Sequence, residues 1–116
     1  MSVPGPDART PGFQITTSEV DGGWQVAVAG ELDLLTSPRL QEALNSVIEQ
    51  QRPSRVLADL TGVGFFDSSA LNVLLQIERL ATEQGIPMTV LASAAVERII
   101  TLAGVADHLT WTRPEP

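Results

Sequence analysis

The sequence contains no cysteine, no lysine and only one histidine, His108. The lack of cysteine excludes disulfides, thiolate metal sites and cysteine nucleophiles, and a single histidine excludes a metal site built from several histidines. Fourteen acidic residues face seven basic residues, which gives a net charge of −7. Because phosphate backbones repel such a surface and no basic cluster offsets it, we predict no direct binding of nucleic acid. An acidic domain of this kind is steered toward a basic surface on a partner.

Long apolar runs are also missing. No stretch approaches the roughly 18 consecutive apolar residues of a membrane-spanning helix. Residues 1–12, MSVPGPDARTPG, have neither the apolar core nor the cleavage pattern of a secretory signal, and their three prolines and two glycines predict a flexible arm. We therefore expect a cytoplasmic protein without membrane insertion. A length of 116 residues suits one domain with a single modest core.

Two alternating segments predict a β-hairpin at the start of the folded region. FQITTS (13–18) and WQVAVAG (24–30) alternate in the manner of half-buried strands, and EVDGG between them contains turn residues. The sequence does not fix the register of this hairpin. Trp24 and Trp111 lie in strand-like segments, so both are predicted to be half-buried.

A strand–helix–strand unit is predicted in the second half of the chain. RVLADL (55–60) reads as a central strand that TGVG (61–64) breaks, and MTVLAS (88–93) reads as another strand. The helix between them is predicted from about Ser68 to Glu83, mostly buried except for a narrow polar stripe. That stripe consists of Asn72, Gln76, Arg79 and Glu83. The two strands should therefore be parallel.

Two further helices complete the predicted fold. Ser37 followed by Pro38 predicts a helix capped by the Ser37 hydroxyl, and Ser93 predicts the cap of a last helix that ends before Gly104. HLTWT (108–112) suggests a short final edge strand. We thus predict an α/β fold with a mixed four- to five-stranded sheet, opened by an antiparallel hairpin, and three main helices. The domain should span residues 13–112, with a flexible tail at 113–116.

The segment FFDSSALNVLL (65–75) sets an aspartate and two serines directly before an apolar helix. On residue types alone, Asp67, Ser68 and Ser69 are explained by capping, because such side chains satisfy the free N–H groups of a helix start. Phosphorylation of a hydroxyl there would add about −1.5 to −2 charges at pH 7, which the helix N-terminus tolerates and a packed partner does not. These residues therefore have both a structural and a functional interpretation.

GELDLLTSPRLQEAL (30–44) and LADLTGVGFFDSSALNVLL (57–75) resemble bacterial anti-sigma factor antagonists, which belong to the STAS-domain family. The resemblance covers roughly residues 13–111 and rests on Gly30-Glu31-Leu32-Asp33, the Thr-x-Pro helix start and Asp67-Ser68-Ser69 in matching order. It implies a binding protein, not an enzyme. In that family the antagonist binds an anti-sigma factor that is also a serine kinase, and so frees a sigma factor.

The resemblance also implies roles for particular residues. The kinase phosphorylates the serine directly after the motif aspartate, here Ser68, with Ser69 as second choice, and a serine phosphatase reverses the modification. Partner contacts are expected at Glu31, Asp33, Asp67, Ser68, Ser69 and Asn72. Without the resemblance, Glu31 and Asp33 would be read as solvated charges at the end of a strand. No cofactor is expected, since GVG lacks the lysine and the spacing of a phosphate-binding loop.

One position departs from the family pattern. Family members usually carry glycine where this chain has Ala70. Alanine favours a helix more than glycine does, so the fold is not endangered. The added methyl group at the first turn is expected to tune or weaken docking of the kinase.

Other interpretations stay open on the sequence alone. An enzyme would use Ser68 or Ser69 as nucleophile with His108 as base, but the G-x-S-x-G elbow is absent. The same fold could also serve as an interaction module of another assembly, such as a lipid-transport accessory or a stress-signalling scaffold, with the serine unmodified. Phe65 and Phe66 are expected to pack in the core and at its rim.

Overall fold

Five strands form a single mixed sheet in the order β1-β2-β3-β4-β5 in the computed structural model, which describes residues 12–114. The strands are β1 Gln14–Val20, β2 Gly23–Leu32, β3 Val56–Phe66, β4 Met88–Ala92 and β5 Trp111–Thr112. The main helices are α1 Ser37–Ser46, α2 Ser68–Glu83 and α3 Ala94–Leu102, with a π-helical turn Val47–Gln51 after α1 and a 3-10 turn Ala106–His108 before β5. The predicted fold class is confirmed. The predicted arm, apart from Gly12, lies outside the described residues.

The hairpin and the parallel pairs follow from the predicted elements. Strands β1 and β2 are antiparallel, and the pair Val20↔Gly23 leaves Asp21 and Gly22 as a two-residue turn. Gly22 has φ +73°, a value that glycine adopts without the penalty of a side chain. Strands β2, β3, β4 and β5 are all parallel to their neighbours. The long connections that parallel strands require are supplied by the three helices.

The core lies between one face of the sheet and the helices. Alternate residues of the central strands are fully buried, including Val26, Ala58, Leu60 and Val90, whereas their sequence neighbours are half-buried or exposed. Helix α2 buries most of its circumference, and its predicted polar stripe is exposed at all four positions. Trp24 and Trp111 are half-buried, as predicted.

The predicted break of the third strand at TGVG is wrong. Strand β3 continues to Phe66 and pairs with β2 through Gly62↔Ala29 and Phe66↔Leu32, with one register shift just before the first pair and another between the two. A Cβ atom at Gly62 would lie 3.0 Å from the Ala29 Cβ atom, so glycine permits close approach of the two strands here. Tertiary pairing thus overrides the local tendency of glycine to end a strand.

The predicted capping role of Ser37 is also wrong. Helix α1 begins at Ser37, its N-cap residue is Thr36, and no side chain accepts a capping hydrogen bond there. Pro38 does lie in the first turn, as predicted. The Ser37 side chain is buried and turns back toward the loop before the helix, where its hydroxyl lies 2.6 Å from the Asp33 carbonyl oxygen. This difference matters for the site described below.

The C-terminal end of the domain is held to α3. Arg113, the first residue of the predicted tail, donates from Nε to the Glu97 carboxylate at 2.8 Å and pairs with it through a second nitrogen. This partner lowers the pKa of Glu97 below its ordinary value. Residues 115 and 116 lie outside the described residues, so the flexibility of the last part of the tail stays a prediction.

Candidate functional site

The carboxyl ends of β2, β3 and β4 meet at one edge of the sheet, where the loops into α1, α2 and α3 begin. Such an edge collects the loops that follow parallel strands, and ligands commonly bind there in α/β proteins. The Asp67 N–H donates to the Leu32 carbonyl at 3.2 Å, so the start of α2 lies beside the end of β2. Ser93 Oγ donates to the Val63 carbonyl at 2.7 Å and fixes the start of α3 to the same edge.

Asp67 caps helix α2. Its Oδ1 atom accepts hydrogen bonds from the Ser69 N–H at 3.0 Å and from the Ala70 N–H at 3.2 Å. Its backbone is extended, with φ −121° and ψ −174°, as is usual for an N-cap residue. The capping interpretation of Asp67 is therefore confirmed, and it leaves the two serines to be distinguished by their surroundings.

Ser68 and Ser69 differ sharply in accessibility. Ser68 is exposed at the first position of α2, and its hydroxyl makes no hydrogen bond within the described part of the chain. The Ser69 hydroxyl is partly buried, lies 2.5 Å from Asp67 Oδ1 and lies 3.1 Å from the Ser37 hydroxyl. One serine is therefore open to an incoming enzyme, and the other is part of the internal structure.

Ser37 and Ser69 join α1 and α2 through their hydroxyls. The two hydroxyls carry two protons between them but make three short contacts: Ser69 with Asp67, Ser69 with Ser37, and Ser37 with the Asp33 carbonyl. The Asp67 carboxylate is the strongest acceptor and takes the Ser69 proton, whereas the Ser37 proton is shared between Ser69 Oγ and the Asp33 carbonyl. The Asp33 carbonyl also accepts from the Ser37 N–H at 2.9 Å. The starts of the two helices are thus tied together.

The loop between β2 and α1 is held by Asp33 and Thr36. Asp33 Oδ1 accepts from the N–H groups of Leu35 at 3.0 Å and Thr36 at 3.2 Å. The Thr36 side chain is fully buried; its hydroxyl accepts from the Asp33 N–H at 2.9 Å and donates to the Glu31 carbonyl at 2.7 Å. Asp33 therefore organises this loop, a structural role that the sequence interpretation missed.

The remaining predicted contact residues lie on the same edge. Glu31 is exposed, and its backbone pairs with Phe65 across the β2–β3 register. Asn72 is exposed one helical turn after Ser68, so both lie on one face of α2. Ala70, in contrast, is fully buried. Its methyl group is therefore not available for direct contact with a docking kinase, and an effect of Ala70 on docking stays a prediction.

Three exposed apolar side chains at this edge were not predicted. Leu34 and Leu35 are each 77% exposed, and Phe65 is 49% exposed, whereas Phe66 is buried as predicted. The sequence signal was available, since two adjacent leucines stand between Asp33 and the start of a helix. The exposure of these leucines was not predicted, because a leucine is usually expected to lie in the core.

His108 is exposed and far from the serines. It lines a hollow of about 410 Å³ together with Leu75, Glu78 and Thr82, which belong to the second half of α2. At 1.5 Å per residue these positions lie roughly 10–20 Å along the helix from Ser68. The hypothesis that Ser68 and His108 form a catalytic pair is therefore wrong.

Burial raises the pKa of Glu78, whose Oε1 atom has no hydrogen-bond partner in the described structure.

Within residues 12–114, no group of three or more acidic or histidine side chains is arranged to hold a metal ion. None of the helices in this range is long and apolar enough to cross a membrane.

Comparison with known proteins assigns the fold to a family. The sequence model of the STAS domain matches residues 14–115. The anti-sigma-F factor antagonist RsfB of Mycobacterium tuberculosis (strain CDC 1551 / Oshkosh) is 32% identical over 69 residues, a match that takes in 60% of this chain and only 52% of RsfB. An anti-sigma F factor antagonist of Paenibacillus polymyxa is 28% identical over 94 residues, or 80% of each chain.

A solved structure extends this likeness to three dimensions. The crystal structure of an anti-sigma factor antagonist from Mycobacterium paratuberculosis superposes with a TM-score of 0.74 at 29% identity, and the superposition covers 89% of this chain and 86% of that one. Since the family model also matches nearly the whole described region, this chain belongs to the STAS-domain family.

Proposed function

We propose that this protein is an anti-sigma factor antagonist. It binds an anti-sigma factor that is a serine kinase, and phosphorylation of Ser68 by that kinase ends the complex until a serine phosphatase removes the phosphate. The observation that carries the proposal is the exposed Ser68 hydroxyl at the start of α2, which makes no hydrogen bond to any residue in the range 12–114. The names of the relatives described above support the same function, which would be exercised in the cytoplasm and without a cofactor of its own.

The surroundings of the two serines favour Ser68 as the acceptor. A kinase must bring the hydroxyl oxygen in line with the γ-phosphate of ATP. The Ser69 oxygen would first have to leave both Asp67 Oδ1 and the Ser37 hydroxyl, and the start of α2 would lose its tie to α1. Ser68 requires no such rearrangement.

A phosphate on Ser68 would block binding without unfolding the domain. At the N-terminus of a helix the dipole favours a negative charge, so α2 remains stable. The partner, however, would meet about −1.5 to −2 added charges and three oxygen atoms where it had packed against a small hydroxyl. Burying such a charge without a counter-charge is strongly unfavourable.

The other predicted contact residues fit this surface to different degrees. Glu31 and Asn72 are exposed and suit direct contact. Asp33 and Asp67 use Oδ1 for hydrogen bonds inside the domain, which leaves Oδ2 for a partner. Ser69 contributes chiefly by holding the site together.

The test begins with the anti-sigma factor kinases encoded in the same genome, each purified and incubated with this protein and ATP. Mass spectrometry should find the phosphate on Ser68. Calorimetric titration should then show that S68D abolishes binding, whereas S18D binds as the unmodified protein does. Ser18 is a matched control because it is exposed on β1 and pairs with Gln25, at the opposite end of the sheet.

Circular dichroism should be unchanged in both variants, which separates loss of binding from loss of fold. Binding of S68D with unchanged affinity would refute the switch. Phosphate on Ser69 would refute the choice of acceptor. Failure of every kinase to bind would refute the antagonist function and leave an interaction module of another assembly.

A further inference from the structure

Large apolar side chains are exposed at few places in residues 12–114, and most of them lie at the site. Leu34 and Leu35 are each 77% exposed, Phe65 is 49% exposed, and Leu102 at the far end of α3 is 72% exposed. Leu34, Leu35 and Phe65 are neighbours in the fold. Phe65 pairs with Glu31 near the end of β2, and the loop that carries the two leucines begins directly after Leu32, the last residue of β2. Clusters of this kind on a protein surface commonly mark interaction sites.

The two leucines are held outward by the structure of their loop. Thr36 is fully buried directly after them and is bonded to the Glu31 carbonyl and the Asp33 N–H. The Leu35 N–H is bonded to Asp33 Oδ1, which fixes the backbone between the two anchors. These bonds hold the loop backbone in the conformation that leaves both leucine side chains exposed. The loop therefore presents an apolar surface that is already ordered before any partner arrives, which lowers the entropic cost of binding.

We infer that Leu34 and Leu35, with Phe65 beside them, form the apolar centre of the interface with the anti-sigma factor kinase. They would enter an apolar pocket of the kinase that is bordered by basic side chains. This inference rests on the proposed function and adds to it the residues that supply the binding energy. Ser68, Glu31 and Asn72 then lie around that centre as its polar rim.

Charge favours a basic partner over the other possible occupants. Glu31, Asp33 and Asp67 accompany the apolar centre, and the whole chain carries a net charge of −7. A second copy of this chain docked through the same face would bring two such acidic clusters together. Anionic lipid headgroups would be repelled for the same reason. An apolar pocket bordered by arginine or lysine would bury the leucines and would pair its basic side chains with the carboxylates.

The position of this centre also explains how one phosphate could act on the whole interface. The start of α2 is tied to the leucine loop through the Ser69–Ser37 contact and through the bond from the Asp67 N–H to the Leu32 carbonyl. A partner that covers the leucines must therefore also come close to Ser68. Packing around Ser68 leaves no room for three added phosphate oxygens, and water excluded from the apolar contact would be unavailable to solvate them, so the complex is weakened.

The experiment uses the kinase that binds the wild-type chain, titrated by calorimetry with L34A, L35A and the control L102A. Burial of a leucine side chain predicts a loss of affinity of roughly tenfold or more for each site variant. L102A should bind within about twofold of the wild type, because α3 starts at the site edge and runs back from it. All three leucines are highly exposed, so the thermal stability of the variants should match that of the wild type.

Three outcomes would overturn the inference. Unchanged affinity of L34A and L35A, with the wild type still binding, would remove the leucines from the interface while the antagonist function stands. Equal weakening by L102A would make the effect nonspecific. Sedimentation showing a wild-type dimer that L34A dissociates would assign the surface to a second copy of the chain. Absence of wild-type binding to any kinase would instead refute the proposed function itself.

Discussion

Replacement of Asp67 by alanine should destabilise the domain by about 1–2 kcal/mol. The variant loses the acceptor for the N–H groups of Ser69 and Ala70, and loss of such a cap costs about 1 kcal/mol, up to about 2. The favourable interaction of the carboxylate with the helix dipole, about 0.3–1 kcal/mol, is part of this cost. The Ser69 hydroxyl also loses an acceptor at 2.5 Å but keeps its contact with Ser37, which limits the total.

Urea unfolding followed by circular dichroism measures this change directly. With a slope of about 2 kcal/mol per molar urea for a small domain, the midpoint should fall by roughly 0.5–1 M while the slope stays constant. D67N is the matched variant, because it keeps the acceptor oxygen and removes only the charge. It should therefore lose less stability than D67A. If D67A unfolds at the wild-type midpoint, or D67N is destabilised as much as D67A, the account of this cap is incorrect.

Two further changes test other parts of the structure. G30A should destabilise the domain by about 2–3 kcal/mol, because Gly30 has φ +111° and a Cβ atom there would lie 2.5 Å from the Gly12 carbonyl oxygen. G64A, where a Cβ atom meets nothing within 4 Å, is the control and should stay near the wild-type stability in the same urea assay. E78Q should stabilise the domain slightly at pH 7, by less than about 1 kcal/mol after solvent screening, because burial raises the pKa of Glu78 above its ordinary value of 4.5. The folded state binds a proton at Glu78 more readily than the unfolded state does. The stability gained by E78Q is therefore full above the raised pKa and disappears as the pH falls below 4.5. A gain in stability that grows as the pH falls would contradict the raised pKa.

The elements of the fold were predictable because each carries a local signal. Helix α2 was predicted at its observed bounds, Ser68–Glu83, since its polar stripe and the capping residue before it are both visible in the sequence. The third strand was predicted too short, because glycines such as those at 62 and 64 are typical of loops. Only the pairing with β2, close enough that a Cβ atom at Gly62 would lie 3.0 Å from the Ala29 Cβ atom, explains why the strand continues.

The residue types of the site were predictable, but the separate role of each residue was not. Asp67, Ser68 and Ser69 stood out in the sequence, yet nothing local separates two adjacent serines. The separation comes from Ser37, which is distant in sequence and brings its hydroxyl to 3.1 Å from Ser69 Oγ. The bonds of Asp33 to the N–H groups of Leu35 and Thr36 are local, but they were also missed, because a solvated charge and a loop-organising carboxylate look alike in a sequence.

The sequence by itself determined the strand and helix pattern, the acidic surface and the small hydroxyl at the start of the second long helix. These properties depend on residue type and on spacing along the chain, so they are present before folding. The tertiary structure decided which serine faces solvent, that the Ala70 methyl is buried, and that Leu34 and Leu35 stay outside the core. Such choices depend on which distant residues meet at the edge of the sheet, and only the folded chain brings those residues together.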